Sequence, residues 1–184
     1  MTLSAIVLLF AVAQAGAEAA APAGAGVTTV VLVRHAEKAD DPKDPGLSPA
    51  GQKRAEALVD ELSHLKIGTI IVSDTKRARE TAAPLAQARG LKPVEVSVAE
   101  GPDAHAKGVV AAIQALPPGT GVLVVGHSNT LAPVVAVLGG PDVRQLCEKQ
   151  FAVMYVLELR EGGSAELKTK SYGEADPPNA DACQ

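Results

Sequence analysis

The sequence predicts an α/β protein, a three-layer α/β/α sandwich around a mostly parallel sheet. Three observations predict it. Two short runs, Val30 to Val33 and Val122 to Val125, are wholly apolar and rich in valine, the pattern of strands buried on both faces. Between and after them, apolar residues recur at helical spacing, so strands and helices alternate as β-α-β-α-β-α-β-α-β-β. The third is a core composition of Val, Leu, Ile and Ala: 47% of the 184 residues are hydrophobic, with no Trp and two each of Phe and Tyr. That length suits one domain with a sizeable core.

In chain order, residues 1–21 read as a secretory signal. Ala5 to Ala13 is uninterrupted and apolar, and Ala13-Gln14-Ala15 and Ala17-Glu18-Ala19 offer small-x-small cleavage sites. The run is too short to span a bilayer as a helix. No Lys or Arg precedes Arg34, so the positive end rests on the α-amino group, and the segment is either cleaved or retained as an anchor. Export to the periplasm or outside the cell is the expectation, with no stable membrane span after cleavage. Residues 22–26 are an Ala/Gly/Pro linker, residues 27–172 the folded domain, and residues 173–184 a polar tail. Cys147 and Cys183 are an even pair in an exported chain and can close one bridge that ties down this tail; the alternative is two thiols.

The first strand, Thr29 to Val33, runs into Arg34-His35. A Pro- and Asp-rich loop, Ala39 to Gly46, leads to Ser48, a helix N-cap with Pro49 at the first helical position. Ala55, Leu58, Val59, Leu62 and Leu65 extend that helix to about His64, whose imidazole would complement the helix dipole. A strand at Thr69 to Val72 follows. Ser73-Asp74-Thr75 then supplies cap residues for a helix reaching Arg89 before Gly90, kinked by Pro84. Val94 to Val98 is the third strand, and Asp103 or Ala104 to Leu116 the third helix. Strand Val122 to Val125 and Gly126-His127-Ser128-Asn129-Thr130 open a helix that stops at Gly139-Gly140. Strands at Ala152 to Leu159 and Ala165 to Ser171 join through a Glu161-Gly162-Gly163 turn.

Net charge is −4, and no basic stripe or aromatic platform is visible, so nucleic acid is excluded as a partner. Instead, polar clusters stand at strand carboxyl ends, where ligands of α/β sheets collect: Arg34-His35, Gly126-His127, and Lys76-Arg77-Ala78-Arg79 after the second strand. Two histidines and several arginines on one rim suit a small dianion such as a phosphoryl group. Arginine grips phosphate through a planar fork, and a neutral imidazole beside it can attack phosphorus. Ser128, Asn129 and Arg79 read as capping or solvent-facing residues. Glu37 and Lys38 stand either at the entrance or in solvent.

VLVRHAEK, LSPAGQKRA (Leu47 to Ala55), SDTKRARETA (Ser73 to Ala82) and VLVVGHSNT (Val122 to Thr130) together resemble the histidine phosphatase superfamily, also called phosphoglycerate-mutase-like, in its small exported branch. The resemblance covers Val27 to Leu159. It implies a nucleophile at His35, phosphorylated on its ring, phosphate-holding residues Arg34, Arg77 (the first Arg of R-A-x-x-T) and His127, and neither metal nor cofactor. Ala36 departs from the usual glycine after the histidine. The leaving group needs a proton donor, which in this family lies between the motifs that carry Arg77 and His127; Asp103 is the first choice, Glu100 the second, and His105 could also fill the position. The partner expected is a small phosphorylated substrate, with the oligomeric state left open. Short chain between Arg77 and His127 argues against a mutase and for hydrolysis of phosphomonoesters, an envelope sugar phosphate being one candidate, or of protein phosphohistidine. A non-catalytic phosphate-binding protein of the same fold is the alternative. GHSNT also resembles the G-x-S-x-G elbow of α/β-hydrolases, but Thr130 replaces the last glycine and no histidine follows Ser128. No pair of the four histidines has helix-face spacing for zinc.

Overall fold

The computed structural model describes residues 26–40, 43–160 and 165–183. The signal segment, most of the linker and the Glu161-Gly162-Gly163 turn lie outside these. Among the described residues a six-stranded sheet has the order β3-β2-β4-β1-β5-β6. It is built from β1 (Thr28–Arg34), β2 (Ile67–Ser73), β3 (Val94–Val96), β4 (Gly121–Gly126), β5 (Val153–Leu159) and β6 (Ala165–Ser171). Strands β3, β2, β4 and β1 are mutually parallel, whereas β5 pairs antiparallel with β1 and β6 with β5.

Alternation along β1 explains the two cores. Val31 and Val33 face one way and pack with Leu58 and Leu62 of the first helical layer and Leu85 of its neighbour. Leu58 belongs to α1 (Pro49–Glu61), which Leu62 caps, and Leu85 to α2 (Lys76–Arg89). Val30 and Leu32 face the other way, against Val109 and Ile113 of α3 (Pro102–Gln114) and Leu131 and Val134 of α4 (Leu131–Val137). Both faces of the central strands are therefore covered, which is why the sequence shows no polar alternation there. Gly126 and Arg34 end paired strands, and the His35 amide donates to the Gly126 carbonyl at 2.8 Å. That bond holds the two histidine-bearing strand ends side by side.

Local signals fare unevenly. Ser48 caps α1, its hydroxyl accepting from the Gly51 amide at 3.1 Å, with Pro49 at N1. Gly90 closes α2 with φ 63°, a left-handed conformation that a side chain disfavours. Helix α2 continues through Pro84. By contrast α1 stops at Glu61, and His64 lies exposed in the following turn. The carbonyls there are met by another helix: Arg89 donates to the oxygens of Leu62, Ser63 and Leu65. The helical spacing of Leu62 and Leu65 reflects packing of the turn and not its continuation as helix. Strand β3 is also shorter than its alternation suggests, ending at Val96, because Asp74 takes the next residues, accepting from the Ser97 hydroxyl at 2.7 Å and the Val98 amide at 3.1 Å.

Candidate active site

A cavity of about 450 Å³ opens at the carboxyl ends of β1, β2 and β4. Arg34, His35, Arg77 and His127 all line it, together with Lys38, Ser128, Asn129, Gln145 and Glu148. Four residues singled out in three separate motifs are thus brought together. Ser128 and Asn129 also line the cavity, while the helix cap falls at Thr130, whose hydroxyl accepts from the His127 amide at 2.8 Å. Glu100 and Asp103 are exposed and do not line the cavity, although Gly101 and Pro102 between them do. Glu148 is a carboxylate in the lining that sequence reasoning missed.

His35 is buried at the end of β1, and its Nδ1 lies 2.8 Å from the Ala36 carbonyl. A carbonyl only accepts, so Nδ1 carries the proton and Nε2 the lone pair. Burial, followed by the charges of His127, Arg34 and Arg77, pushes its pKa down to about 3, against the opposing hydrogen bond to Ala36. His127 differs. Its Nδ1 accepts from Arg77 Nη2 at 3.3 Å and its Nε2 donates to Ser73 Oγ at 2.8 Å, so both ring nitrogens are engaged. Burial and then Arg77 hold its pKa at about 4. The two rings stand edge to face, 5.1 Å between centroids.

Arg34 is almost wholly buried; its Nη1 donates to the carbonyls of Cys147, Glu148 and Gln150, and its Nη2 to the Glu148 carboxylate at 3.1 Å. Arg77 reaches Asp44 at 3.7 Å on its other side. In both arginines the Nε–H is buried and has no hydrogen-bond partner among the described residues. The two guanidinium groups nevertheless bring two positive charges to the walls of one cavity, which suits an anion.

Supporting residues explain why the motifs have their composition. Thr81, fully buried in α2, accepts from the Ala36 amide at 2.9 Å and donates to the Arg77 carbonyl at 2.7 Å. One hydroxyl therefore couples the residue after His35 to the arginine of the next motif. Ala36 sits in a small apolar cluster with Leu47 and Ala55 and does not line the cavity, so its methyl group is accommodated where glycine is usual. Ser73, read as a helix cap, instead holds His127, and the α2 amide of Lys76 is met by Asp44 at 3.1 Å. Glu37 points into the fold, forked onto buried Arg54. His105 is buried and bonded through Nδ1 to the Ser97 carbonyl, outside the cavity lining. Arg79 is half-buried and pairs with Glu95 outside the cavity lining, as a peripheral residue would. Among the described residues no group of three or more His, Cys, Asp or Glu could hold a metal ion, and no helix is long and apolar enough to cross a membrane.

Residues 30–101 match the model of the histidine phosphatase superfamily (branch 1). The matched stretch holds Arg34, His35 and Arg77 but ends before His127. The fold of the chain is shared with the protein histidine phosphatase SixA complexed with tungstate, at 22% identity and TM-score 0.62 over 78% of this chain and 97% of that one. Mycobacterial glucosyl-3-phosphoglycerate phosphatase Rv2419c is similar at 19% identity and TM-score 0.61, over 81% and 100% of the two chains. Phosphoserine phosphatase 1 of Hydrogenobacter thermophilus is 37% identical over 73 residues, 36% of this chain. That match spans about a third of the curated relative, 35% of its length.

Proposed function

We propose that this chain is a metal-independent phosphatase that hydrolyses phosphomonoesters through a phosphohistidine on His35. The observation that carries this is the convergence of Arg34, Arg77 and His127 with His35 on one cavity. A phosphoryl dianion seated there is neutralised by the two guanidinium groups, and its charge no longer repels the incoming lone pair. His35 Nε2 attacks phosphorus while Nδ1–H stays on the Ala36 carbonyl, which stabilises the positive charge that the ring acquires. The P–O bond to the leaving group breaks, and water then attacks the phosphohistidine to release inorganic phosphate and restore the ring. His127, held by Ser73, fixes Arg77 through Nδ1. The test is turnover of p-nitrophenyl phosphate by the full chain with and without chelator. Loss of activity on chelation would overturn metal independence, and absence of turnover with intact phosphate binding would leave the non-catalytic phosphate-binding protein as the function.

Asp103, with Glu100 second, is the proposed acid for the leaving oxygen, since the Gly101-Pro102 segment between them forms part of the cavity wall. Asp103→Asn is expected to slow alkyl phosphates about 100-fold while leaving p-nitrophenyl phosphate, whose leaving group needs no proton, within about threefold. If Glu148→Gln alone shows that leaving-group dependence, the acid is Glu148. A second reading, hydrolysis of protein phosphohistidine, is favoured by the absence of Glu100 and Asp103 from the cavity lining. A phosphorylated imidazole departs without needing a carboxylic acid when its other nitrogen is already protonated. Comparison of kcat/KM on phosphohistidine and on a hexose phosphate decides between the two. The apolar N-terminal run and the Cys147–Cys183 bridge support action outside the cytosol, where an envelope sugar phosphate would be met.

The depressed histidine pKa values set the pH dependence. His35 stays neutral until about pH 3, so its protonation should not limit kcat/KM near the ordinary value of 6.5. Stability behaves differently. The unfolded chain takes up protons on these rings near 6.5, and the folded chain only near 3 and 4. The contribution of the neutral rings is thus full above pH 6.5 and lost progressively as pH falls toward 4. Tm measured from pH 7 to pH 4 should fall, and less steeply in His127→Asn. An equal fall in that variant would refute the contribution of His127.

A further inference from the structure

The Arg34 guanidinium is oriented by a segment that is neither helix nor strand. Its Nη1 is divided among three backbone carbonyls, of Cys147 at 2.9 Å, Glu148 at 2.9 Å and Gln150 at 3.2 Å. Its carbon lies 4.2 Å from the centroid of the Phe151 ring. With Nη1 saturated, the orientation of the planar guanidinium follows from where residues 147–151 sit.

What fixes those residues is the C-terminal tail. Cys147 is bridged to Cys183, 36 positions further along the chain, with the two Cα atoms 4.9 Å apart. Asp176 Oδ1 accepts from the amides of Phe151 at 2.8 Å and Ala152 at 2.9 Å, the residue that stacks on Arg34 and its neighbour. Arg144 donates to the Asp181 carbonyl at 3.1 Å, and the Gln150 side chain accepts from the Cys147 amide at 2.8 Å, closing the turn on itself. The tail has little core of its own, with Tyr172 and Ala180 the residues buried near its ends. Its attachment is therefore concentrated at the bridge and at Asp176.

We infer that the tail, residues 176–183, is a positioning element for Arg34, and that opening the Cys147–Cys183 bridge reversibly weakens phosphate binding. This rests on the reading that Arg34 holds the substrate phosphate. Reduction by a dithiol delivers two electrons and two protons, giving thiols at Cys147 and Cys183 and a cyclic disulfide from the reductant. The carbonyl cradle then loses its covalent anchor. Arg34 must next be held by residues 147–150 without the tail, and a fork displaced by about 1 Å loses its match to a phosphoryl oxygen pair.

The test uses the full chain, oxidised and dithiothreitol-reduced, with Cys183→Ser as the permanent equivalent. Inorganic phosphate Kd is read by calorimetry, and KM and kcat with p-nitrophenyl phosphate, at a temperature where circular dichroism shows both forms folded. Reduction is expected to raise phosphate Kd and KM about tenfold, with recovery on reoxidation. Asp176→Ala should act in the same direction with the bridge intact, and serves if Cys183→Ser does not fold. The deciding measurement is Arg34→Ala, in which reduction should leave phosphate Kd unchanged, because the coupling disappears with the partner. Unchanged Kd and KM on reducing the wild-type chain would overturn the inference, as would an equal rise in Arg34→Ala, which indicates general loosening. An oxidised protein that binds no phosphate would refute the phosphate-site reading itself and this inference with it.

Discussion

His35→Ala is expected to lower phosphomonoester turnover by about 10⁴-fold or more, the usual scale for loss of a nucleophile from an assembled site. The neighbouring histidine should not substitute for it. His127 has both nitrogens engaged, Nδ1 by Arg77 and Nε2 by Ser73, so attack from that ring would first break its charge-assisted bond to Arg77. His35 has one nitrogen tied to Ala36 and the other carrying the lone pair. Stopping the wild-type reaction with alkali should trap acid-labile phosphate at His35, while His127→Ala should still form it, more slowly. Folding is expected to survive His35→Ala, because the backbone bond to Gly126 and the β1–β4 pairing do not involve the imidazole. Turnover within tenfold of wild type in a folded His35→Ala protein would assign the nucleophile elsewhere.

The residues of that argument were legible in the sequence for a physical reason. Arg34, His35 and His127 follow wholly apolar runs, and an Arg-His pair directly after four buried valines and leucines falls at the sheet's carboxyl edge. The α/β alternation was legible for the same reason, because periodicity is a local property. What escaped was non-local. The insertion of β5 antiparallel beside β1, which separates the edge strand β6 from the parallel strands, is a matter of strand order, and Val153–Leu159 carries no mark of its partner. Arg34 is held by main-chain carbonyls of residues 147–150, and a carbonyl has no residue identity to read. Glu148 lies in an aperiodic loop beyond the motif that carries His127, outside the interval where the family resemblance places an acid. Ser73 looked like a helix cap because serine, next to a helix start, most often is one; its real partner is 54 positions away. Thr81 was visible within R-A-x-x-T, yet its double bond to Ala36 and Arg77 needed the geometry.

Glu37→Ala should be the most destabilising change near the site, and it should act on the fold more than on the chemistry. Glu37 lies two residues after His35, but its carboxylate grips Arg54 from α1 with bonds of 2.8 Å and 3.0 Å. Arg54 is only 4% exposed and donates its remaining reach to the Tyr172 carbonyl at 2.8 Å. Burial pulls the Arg54 pKa down, yet the Glu37 hydrogen bonds and charge more than reverse that, so the guanidinium is held more firmly charged than in water. Removing the carboxylate leaves this cation buried with one carbonyl for company. Loss of one partner of a buried pair costs about 3–5 kcal/mol, and partial exposure of Glu37 favours the lower end, an expected fall in Tm of about 6–12 °C for a chain of this size. Replacing both members together, Glu37→Leu with Arg54→Met, should restore part of the loss, since the penalty comes from the stranded charge more than from the missing attraction. Packing leaves little alternative route for relief: a Cβ at Gly51 would fall on the Glu37 carbonyl, so α1 already abuts this backbone closely. Below its melting range, Glu37→Ala should keep kcat within about threefold of wild type. A hundredfold drop in kcat with Tm unchanged would instead place Glu37 in the chemistry, and the Glu37–Arg54 pair would have to be read as holding a catalytic carboxylate in reserve.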